Sequence, residues 1–432
     1  MAAVRLAFRF PIGWAARGVS LSAIGKLCTS ALWVIFIIGT SSAAPPNMSG
    51  IERLFWLPVD LLVVLLFLPN LNSFLTLMLN NWIMVSWPVL AILSTLWSLS
   101  PGVTLYHGLQ LLMTVWVALM LCMSTNRLRL LQIVLAAIFC LQCLSVLAVL
   151  LPRYGISPGG EWRGVFPHKN VLGMFMSLQI ITAACLFLHG WRRNVCGAII
   201  IFALGLLVMS RSGTSMLGTI VALSPLPFAI CYRQGLQWLG LLLSVLMLAA
   251  GAALCALAIG DIDPFGLVLG SVGKDATLTG RTILWDIGIT AFWERPLIGY
   301  GYKGYWESPD TTVQYLRLVI GQDLWFFHNN FIEVAVAFGV VGLALFVFGL
   351  AWALVKTARD FIWDREYTTL WSLLVVLFLV FLCLGENPLF SNHSLHQFFL
   401  VAALAVRNER EWRQSRSIRL RYRGASATPA PT

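Results

Sequence analysis

The 432-residue chain is 59% hydrophobic and only 11% charged, with a mean hydropathy of +0.83. Soluble domains are roughly half apolar and a quarter charged, so this is a polytopic membrane protein. Its formal charge of +11 does not argue for nucleic acid, because seven arginines lie between Arg407 and Arg423, where a basic tail anchors a membrane protein on its cytoplasmic side. The nine cysteines fall within apolar runs or at their edges, where cysteine packs as a small hydrophobe. No disulfide framework is implied, and the Cys140/Cys143 pair reads as mid-span packing.

Residues 1–19 form a basic lead, expected to be cytoplasmic. Arg5, Arg9, Arg17 and Lys26 precede or open an apolar run that ends at TSSAAPP, a signal-peptide pattern. The long lead and the count of spans favour a retained first transmembrane helix. About 20 apolar residues are needed to cross the hydrocarbon core as a helix. Such windows fall near 20–40, 54–69, 73–97, 102–122, 128–150, 169–189, 194–210, 213–232, 236–259, 329–355, 368–385 and 389–406. The expectation is an all-α membrane protein of about twelve transmembrane helices, nine within 20–259 and three within 328–406, followed by a basic tail at 407–432.

Lysine and arginine in the short loops set the orientation. With a cytoplasmic N-terminus, the cytoplasmic loops hold Arg127 and Arg129, then Arg192 and Arg193, then Arg233, then Lys356, Arg359 and Arg365. Both termini are then cytoplasmic. Two segments on the opposite side are nevertheless basic. Residues 151–168 hold Arg153 and Arg163 and lead into His168 and Lys169. Residues 260–327, between the ninth and tenth spans, hold Lys274, Arg281, Arg295, Lys303 and Arg317. Positive charge that topology does not require needs another reason.

Only 260–327 is long enough for a small subdomain. Within it TGRTILWDIGITAFWERP predicts a helix of about four turns that ends at Pro296. One stripe of that helix is polar, with Thr282, Asp286, Thr290 and Glu294. Arg281 shares another stripe with Trp285, Gly288 and Phe292 and is expected to point toward protein or membrane surface.

Arg163, His168, Lys169, Arg211, Arg281, His328 and Glu386 all map to the non-cytoplasmic face, beside or within loops next to spans. Ionisable groups at membrane depth are costly and mark functional sites. Cations with few carboxylates nearby repel one another unless an anion bridges them, and the planar fork of arginine fits phosphate oxygens. The expected ligand is a lipid-linked phosphate or pyrophosphate. Simpler readings stand beside this one. Arg163, His168 and Lys169 would also suit lipid headgroups, Arg281 an interfacial anchor, and His328 with Asn329 a helix cap. Glu386 is expected either to pair with one of the arginines or to sit in a polar turn. His393 and His396 read as packed side chains within the last span.

Four motifs then occur in order: RGVFPHKN at 163–170, SRSGTSMLG at 210–218, TGRTILW at 279–285 with PLIGYGYKGYW at 296–306, and HNNFIEVAVAFGVVG at 328–342. Together they resemble the O-antigen ligase and Wzy-type polymerase superfamily, and the HKN form resembles exopolysaccharide polymerases of the ExoQ type. The resemblance implies a GT-C-like glycosyltransferase of the bacterial inner membrane that needs no metal or other cofactor. Its donor would be an undecaprenyl-pyrophosphate-linked glycan, and the large loop and active site would face the periplasm. It also implies that Arg163 and Arg281 bind pyrophosphate and that His328 is the catalytic base. Arg211, His168, Lys169, Asn170, Asn329 and Glu386 are expected to contribute to substrate binding. The partners are a glycan acceptor, membrane lipids and other polysaccharide assembly proteins.

Polymerase and ligase share this donor chemistry and differ in acceptor, so the motifs leave both open, with the HKN form favouring the polymerase. A transporter of lipid-linked oligosaccharide is the alternative from another class. Transporter sites lie near the bilayer midplane at repeat interfaces, whereas these spans carry almost no mid-span charge and no matched repeat. A structural anchor for a polysaccharide assembly complex is the third reading.

Overall fold

A computed structural model describes residues 23–39, 56, 58–65, 68–151, 154–259, 277–309, 311, 313, 317 and 326–407. The candidate cleavage site, the stretch 260–276 and the tail beyond Arg407 lie outside these residues. The described residues are helical, with no β-strand and only two isolated bridges, Asn126 with Arg407 and Ile156 with Trp162. In order the helices are α1 (Ala23–Gly39), α2 (58–65), α3 (Leu71–Asn80), α4 (Trp82–Leu93), α5 (Pro101–Ser124), α6 (Arg127–Val149), α7 (Lys169–His189) and α8 (Arg193–Met209). They continue with α9 (Gly213–Leu223), α10 (Leu226–Arg233), α11 (Gln237–Ile259), α12 (Thr277–Glu294), α13 (Gly304–Glu307), α14 (Asn330–Asp364), α15 (Tyr367–Leu382) and α16 (Leu395–Ala405).

Each of the twelve apolar windows contains helix. Among the described residues five helices are long and apolar enough to cross a membrane: α5, α6, α7, the run Gly213–Arg233 and α14. The pair α3–α4 makes a sixth if counted as one span, but it is bent by 91°, so 73–97 is not the straight helix expected. The bend falls at Asn81, whose side-chain amide donates to the Leu77 carbonyl at 2.9 Å and so competes with the helical ladder.

The bundle is organised around α7, which packs on α6, α8, α9 and α15 and buries nearly every residue from Leu172 to Leu186. Its sequence is apolar all round, as a helix enclosed on every side must be. A second, smaller core joins Leu284, Ala291, Tyr300, Tyr305, Trp306, Phe327 and Val336, where α12, α13 and the start of α14 meet.

Cations expected on the cytoplasmic side gather at one end of the bundle. Arg127 donates from Nη2 to the Val406 carbonyl at 2.9 Å, and Lys356 Nζ donates to the Leu404 carbonyl at 2.8 Å. Both cap the last turn of α16, where positive charge is favourable. Arg233 lies over Tyr367 and Arg365 over Tyr232.

Two departures from the sequence expectation shape the opposite end. The last window is helical only over Leu395–Ala405; residues 383–394 are irregular, broken by Gly385 and Pro388. His393 therefore lies before the helix, stacked on Trp56 at 4.5 Å. The second departure is inside α14, where Gly339 has φ 63°, ψ −160° and interrupts the helix.

Candidate active site

The interruption at Gly339 positions α12. With the ladder broken, the Val336 and Ala337 carbonyls accept from the Tyr300 and Gly301 N–H groups at 3.0 and 2.9 Å, and the Val340 N–H donates to the Pro296 carbonyl at 2.7 Å. The two glycine-bearing motifs, PLIGYG and VAFGVVG, thus bond to each other. Only glycine fits here, since a Cβ at Gly339 would sit 2.2 Å from the Leu297 carbonyl carbon. The Trp285 stripe of α12 faces inward: Trp285 Nε1 donates to the Phe327 carbonyl at 3.0 Å, and Gly288 abuts Ile332 and Phe327. Arg281 points toward protein in the same direction.

The irregular segment 383–394 supplies the centre of the site. It is fastened to the start of α14 by Asn330, which is fully buried. The Leu389 N–H donates to Asn330 Oδ1 at 2.9 Å, Asn330 Nδ2 donates to the Leu389 carbonyl at 3.3 Å, and the Asn330 N–H donates to the Cys383 carbonyl at 2.9 Å. Non-helical backbone is tolerated in a membrane protein where protein groups satisfy it in this way.

Glu386, only 5% exposed, gathers three predicted residues. Asn170 Nδ2 and Arg281 Nη2 each donate to Oε1 at 2.9 Å, and His328 Nδ1 lies 3.2 Å from Oε2. Burial alone would raise the pKa of this carboxyl. The hydrogen bond to His328 and the charge of Arg281 outweigh it and hold Glu386 below its usual range. An ionised carboxylate only accepts. The contact is therefore an Nδ1–H to Oε2 bond, and it engages Nδ1 of the ring rather than Nε2. Exposure rises outward: the side chain of Glu386 is 7% exposed, that of Arg281 15% and that of His328 30%. His328 has φ 52°, a left-handed conformation that costs a non-glycine residue about 1–3 kcal/mol and clusters at functional sites.

A second carboxylate organises the neighbouring cations. Lys169 Nζ lies 3.2 Å from Glu161 Oε1. Burial alone would raise the Glu161 carboxyl; a backbone hydrogen bond, Lys169 and the charge of Arg211 bring it below its usual value. Arg211 occupies the tight turn between α8 and α9 with φ 48°, and the Trp162 N–H ties the 154–168 loop to that turn through the Met209 carbonyl at 3.0 Å. Lys169 and Asn170 are consecutive at the start of α7, so the Glu161 and Glu386 groups are neighbours. His168 precedes them, its Nδ1 accepting from the Asn170 N–H at 3.3 Å. Partial withdrawal from solvent holds its imidazole below the usual histidine value; the nearby cations, led by Lys169, act in the same direction and the charge of Glu386 opposes them.

Of the residues singled out from sequence, Asn170, Arg281, His328 and Glu386 share direct contacts, and His168, Lys169 and Arg211 border them. Arg163 turns into its own loop, donating from Nε to the Tyr154 carbonyl at 2.8 Å. Asn329 caps α14, its Oδ1 accepting from the Phe331 and Ile332 N–H groups, while Nδ2 donates to the Leu384 carbonyl at 3.2 Å. The expectation of cations with almost no carboxylate nearby is revised. Four permanent cations, Arg163, Lys169, Arg211 and Arg281, stand with two carboxylates, Glu161 and Glu386, an excess of two positive charges. Sequence reasoning missed Asn330 and Glu161. The doubled asparagine after His328 was the available signal for the first; nothing in the spacing marks the second.

Comparison with known proteins agrees with the motifs. Residues 197–347 match the family model described as O-antigen ligase, a stretch that includes Arg211, Arg281 and His328. The chain is 35% identical over 306 residues to the exopolysaccharide production protein ExoQ of Rhizobium meliloti (strain 1021), an alignment covering 67% of this chain. It spans 66% of that relative's length. The motif order and these matches lead to one conclusion: the chain is related to the O-antigen ligase family through residues 197–347 and, more widely, to ExoQ.

Proposed function

We propose that the protein is a glycosyltransferase that uses a polyprenyl-pyrophosphate-linked glycan, of the undecaprenyl class, as donor and polymerises exopolysaccharide repeat units. The single observation that carries this reading is the Glu386 carboxylate joining the Arg281 guanidinium to the His328 imidazole. In this reading the acceptor hydroxyl attacks the anomeric carbon of the donor sugar. The bond from that carbon to the pyrophosphate oxygen breaks, and the hydroxyl proton passes to His328 Nε2. Glu386 holds the imidazole in the required tautomer and stabilises the imidazolium, as a carboxylate does behind a catalytic histidine. Negative charge developing on the leaving pyrophosphate is met by fixed guanidinium groups. The contact to Glu386 engages one Nη of Arg281, whose fork carries five N–H donors. Lys169, Arg211 and Arg163 supply further positive charge at the rim, with His168 beside them. Direct displacement inverts the anomeric configuration.

The topology belongs to the same proposal. Arg127, Arg233, Lys356, Arg365 and the basic tail face the cytoplasm of a bacterial inner membrane, both termini with them, and the Glu386 end faces the periplasm with the 260–327 subdomain. A ligase reading, transfer to a lipid A core, is favoured by the O-antigen ligase description of the matched region. The similarity to ExoQ favours the polymerase. Reconstitution with lipid-linked repeat units and no energised gradient tests the enzyme reading. Glycan elongation that disappears in His328→Ala supports it; translocation without bond formation refutes it. A deletion strain separates the acceptors: loss of high-molecular-weight secreted polysaccharide with intact lipopolysaccharide marks the polymerase, and lipopolysaccharide ending at its core marks the ligase.

A further inference from the structure

Glu333 lies five residues beyond His328 and is buried, yet it does not turn toward the imidazole. Its Oε2 accepts from the Phe327 N–H at 3.2 Å and its Oε1 from Trp306 Nε1 at 2.8 Å. A buried carboxylate is expensive unless its lone pairs are used, and both oxygens here serve the residue before His328 or the ring beside it. The Phe327 carbonyl, on the other side of the same residue, accepts from Trp285 Nε1 at 3.0 Å. Phe327 is thus held at its N–H by α14 and at its C=O by α12. The residue is 1% exposed, and its ring packs 4.6 Å from Trp306 and 5.7 Å from Tyr305. Gly288 presses against the same ring: a Cβ there would lie 3.1 Å from it and 2.4 Å from Ile332 Cγ2.

The consequence falls on His328. Its φ of 52° is a rotation measured from the peptide that contains the Phe327 carbonyl, so fixing that peptide fixes where the imidazole begins. Left-handed backbone at a non-glycine residue persists only where its surroundings over-determine it, and Trp285, Glu333 and Gly288 supply that constraint from three directions. None of them touches Glu386 or Arg281 in the hydrogen bonds described above.

Resting on the assignment of His328 as base, we propose that Glu333, with Trp285 and Gly288, is a positioning residue that seats Phe327 and thereby aims His328 at the acceptor hydroxyl. Glu333 is not a proton donor or acceptor in the reaction. A carboxamide at 333 has one oxygen for two N–H groups, so one of the two bonds is lost. The same α12 helix thus carries Arg281 to the pyrophosphate and Trp285 to the base, which couples the placement of the two.

The test uses full-length protein in nanodiscs, with lipid-linked glycan from a host strain deleted for this protein as substrate and undecaprenyl pyrophosphate as the binding probe. Glu333→Gln, Trp285→Phe and Gly288→Ala are compared with wild type and His328→Ala. Misplacement of a catalytic group by about 1 Å costs on the order of 10²-fold in rate. The expected result is a fall in kcat of that order in Glu333→Gln and Trp285→Phe, with undecaprenyl pyrophosphate affinity within about twofold of wild type. Because both act through Phe327, the double variant should lose little more than the worse single one. Gly288→Ala, which removes no hydrogen bond, should show the same split. Wild-type kcat in Glu333→Gln beside an inactive His328→Ala would overturn the positioning role alone, as would kcat and probe affinity falling together in all three variants. Full transfer by His328→Ala would remove the base, and the seat with it.

Discussion

Asn330 and Leu389 exchange two hydrogen bonds, the Leu389 N–H donating to Asn330 Oδ1 at 2.9 Å and Asn330 Nδ2 donating to the Leu389 carbonyl at 3.3 Å. This clip locks the start of the His328 helix to the irregular segment that presents Glu386. Replacing Asn330 by alanine strands two buried backbone groups, each worth about 1–3 kcal/mol. The expected outcome is a lowered thermal midpoint together with loss of transfer. Asn330→Asp should fare no better, since it supplies an acceptor without the donor. Fluorescence-detected thermal unfolding in detergent, alongside the elongation assay, measures both.

Arg281→Lys preserves the charge beside Glu386 but not the fork, and lysine is a poor substitute at a site that must hold a carboxylate and a phosphate together. We expect normal membrane insertion and a fall in turnover of about 10²-fold, the typical cost of one lost electrostatic stabiliser. Near-wild-type turnover would reduce Arg281 to an anchor.

The depressed pKa of Glu386 sets a direction for acid stability. A group held below its usual value of 4.5 contributes stability that is fully present above that value and is lost as pH falls through the lower, folded value. Wild type should therefore lose more thermal stability than Glu386→Gln between about pH 5 and pH 3. Parallel curves for the two proteins would contradict the paired, ionised state of Glu386.

At the opposite end, Arg127 is 4% exposed and donates to Thr369 Oγ1 at 2.8 Å and to the Val406 carbonyl at 2.9 Å. Arg127→Ala should lower the unfolding free energy by about 1–3 kcal/mol through the carbonyl and hydroxyl left behind. Binding of undecaprenyl pyrophosphate by the folded fraction should be unchanged, because the residue lies at the end of the bundle opposite Glu386.

Much of this was legible in the chain. Each hydrophobic window contains helix, and five helices among the described residues are long and apolar enough to span, because a membrane demands long apolar runs and little else produces them. The motifs HKN and HNN gave Asn170 and His328, and the surplus of outward cations gave Arg281. What spacing could not reveal is that these residues converge on Glu386, which is 216 residues from Asn170 and 105 from Arg281. Such pairings are set by packing, and no local periodicity encodes them. Nor does spacing reveal that Lys169, expected at a phosphate or a headgroup, also pairs with Glu161. The last helix starts at Leu395 and not near 389 for a related reason: Asn330, distant in sequence, takes both backbone groups of Leu389.

The break at Gly339 carries one more consequence. Nine residue steps separate it from Asn330, about 14 Å of helical rise, so the strand of chain from Pro296 to Gly301 is seated well below the lip of the bundle. Leu297 and Ile298, 67% and 46% exposed, then lie on the outer side of α14, part-way along its length. What reads in the sequence as a loop beyond the bundle is in part packed against the middle of α14. During biosynthesis this segment emerges before the helix that must receive it, and that helix has a missing rung until the two meet. Completion of α14 and docking of the 296–301 segment are accordingly a single step of assembly.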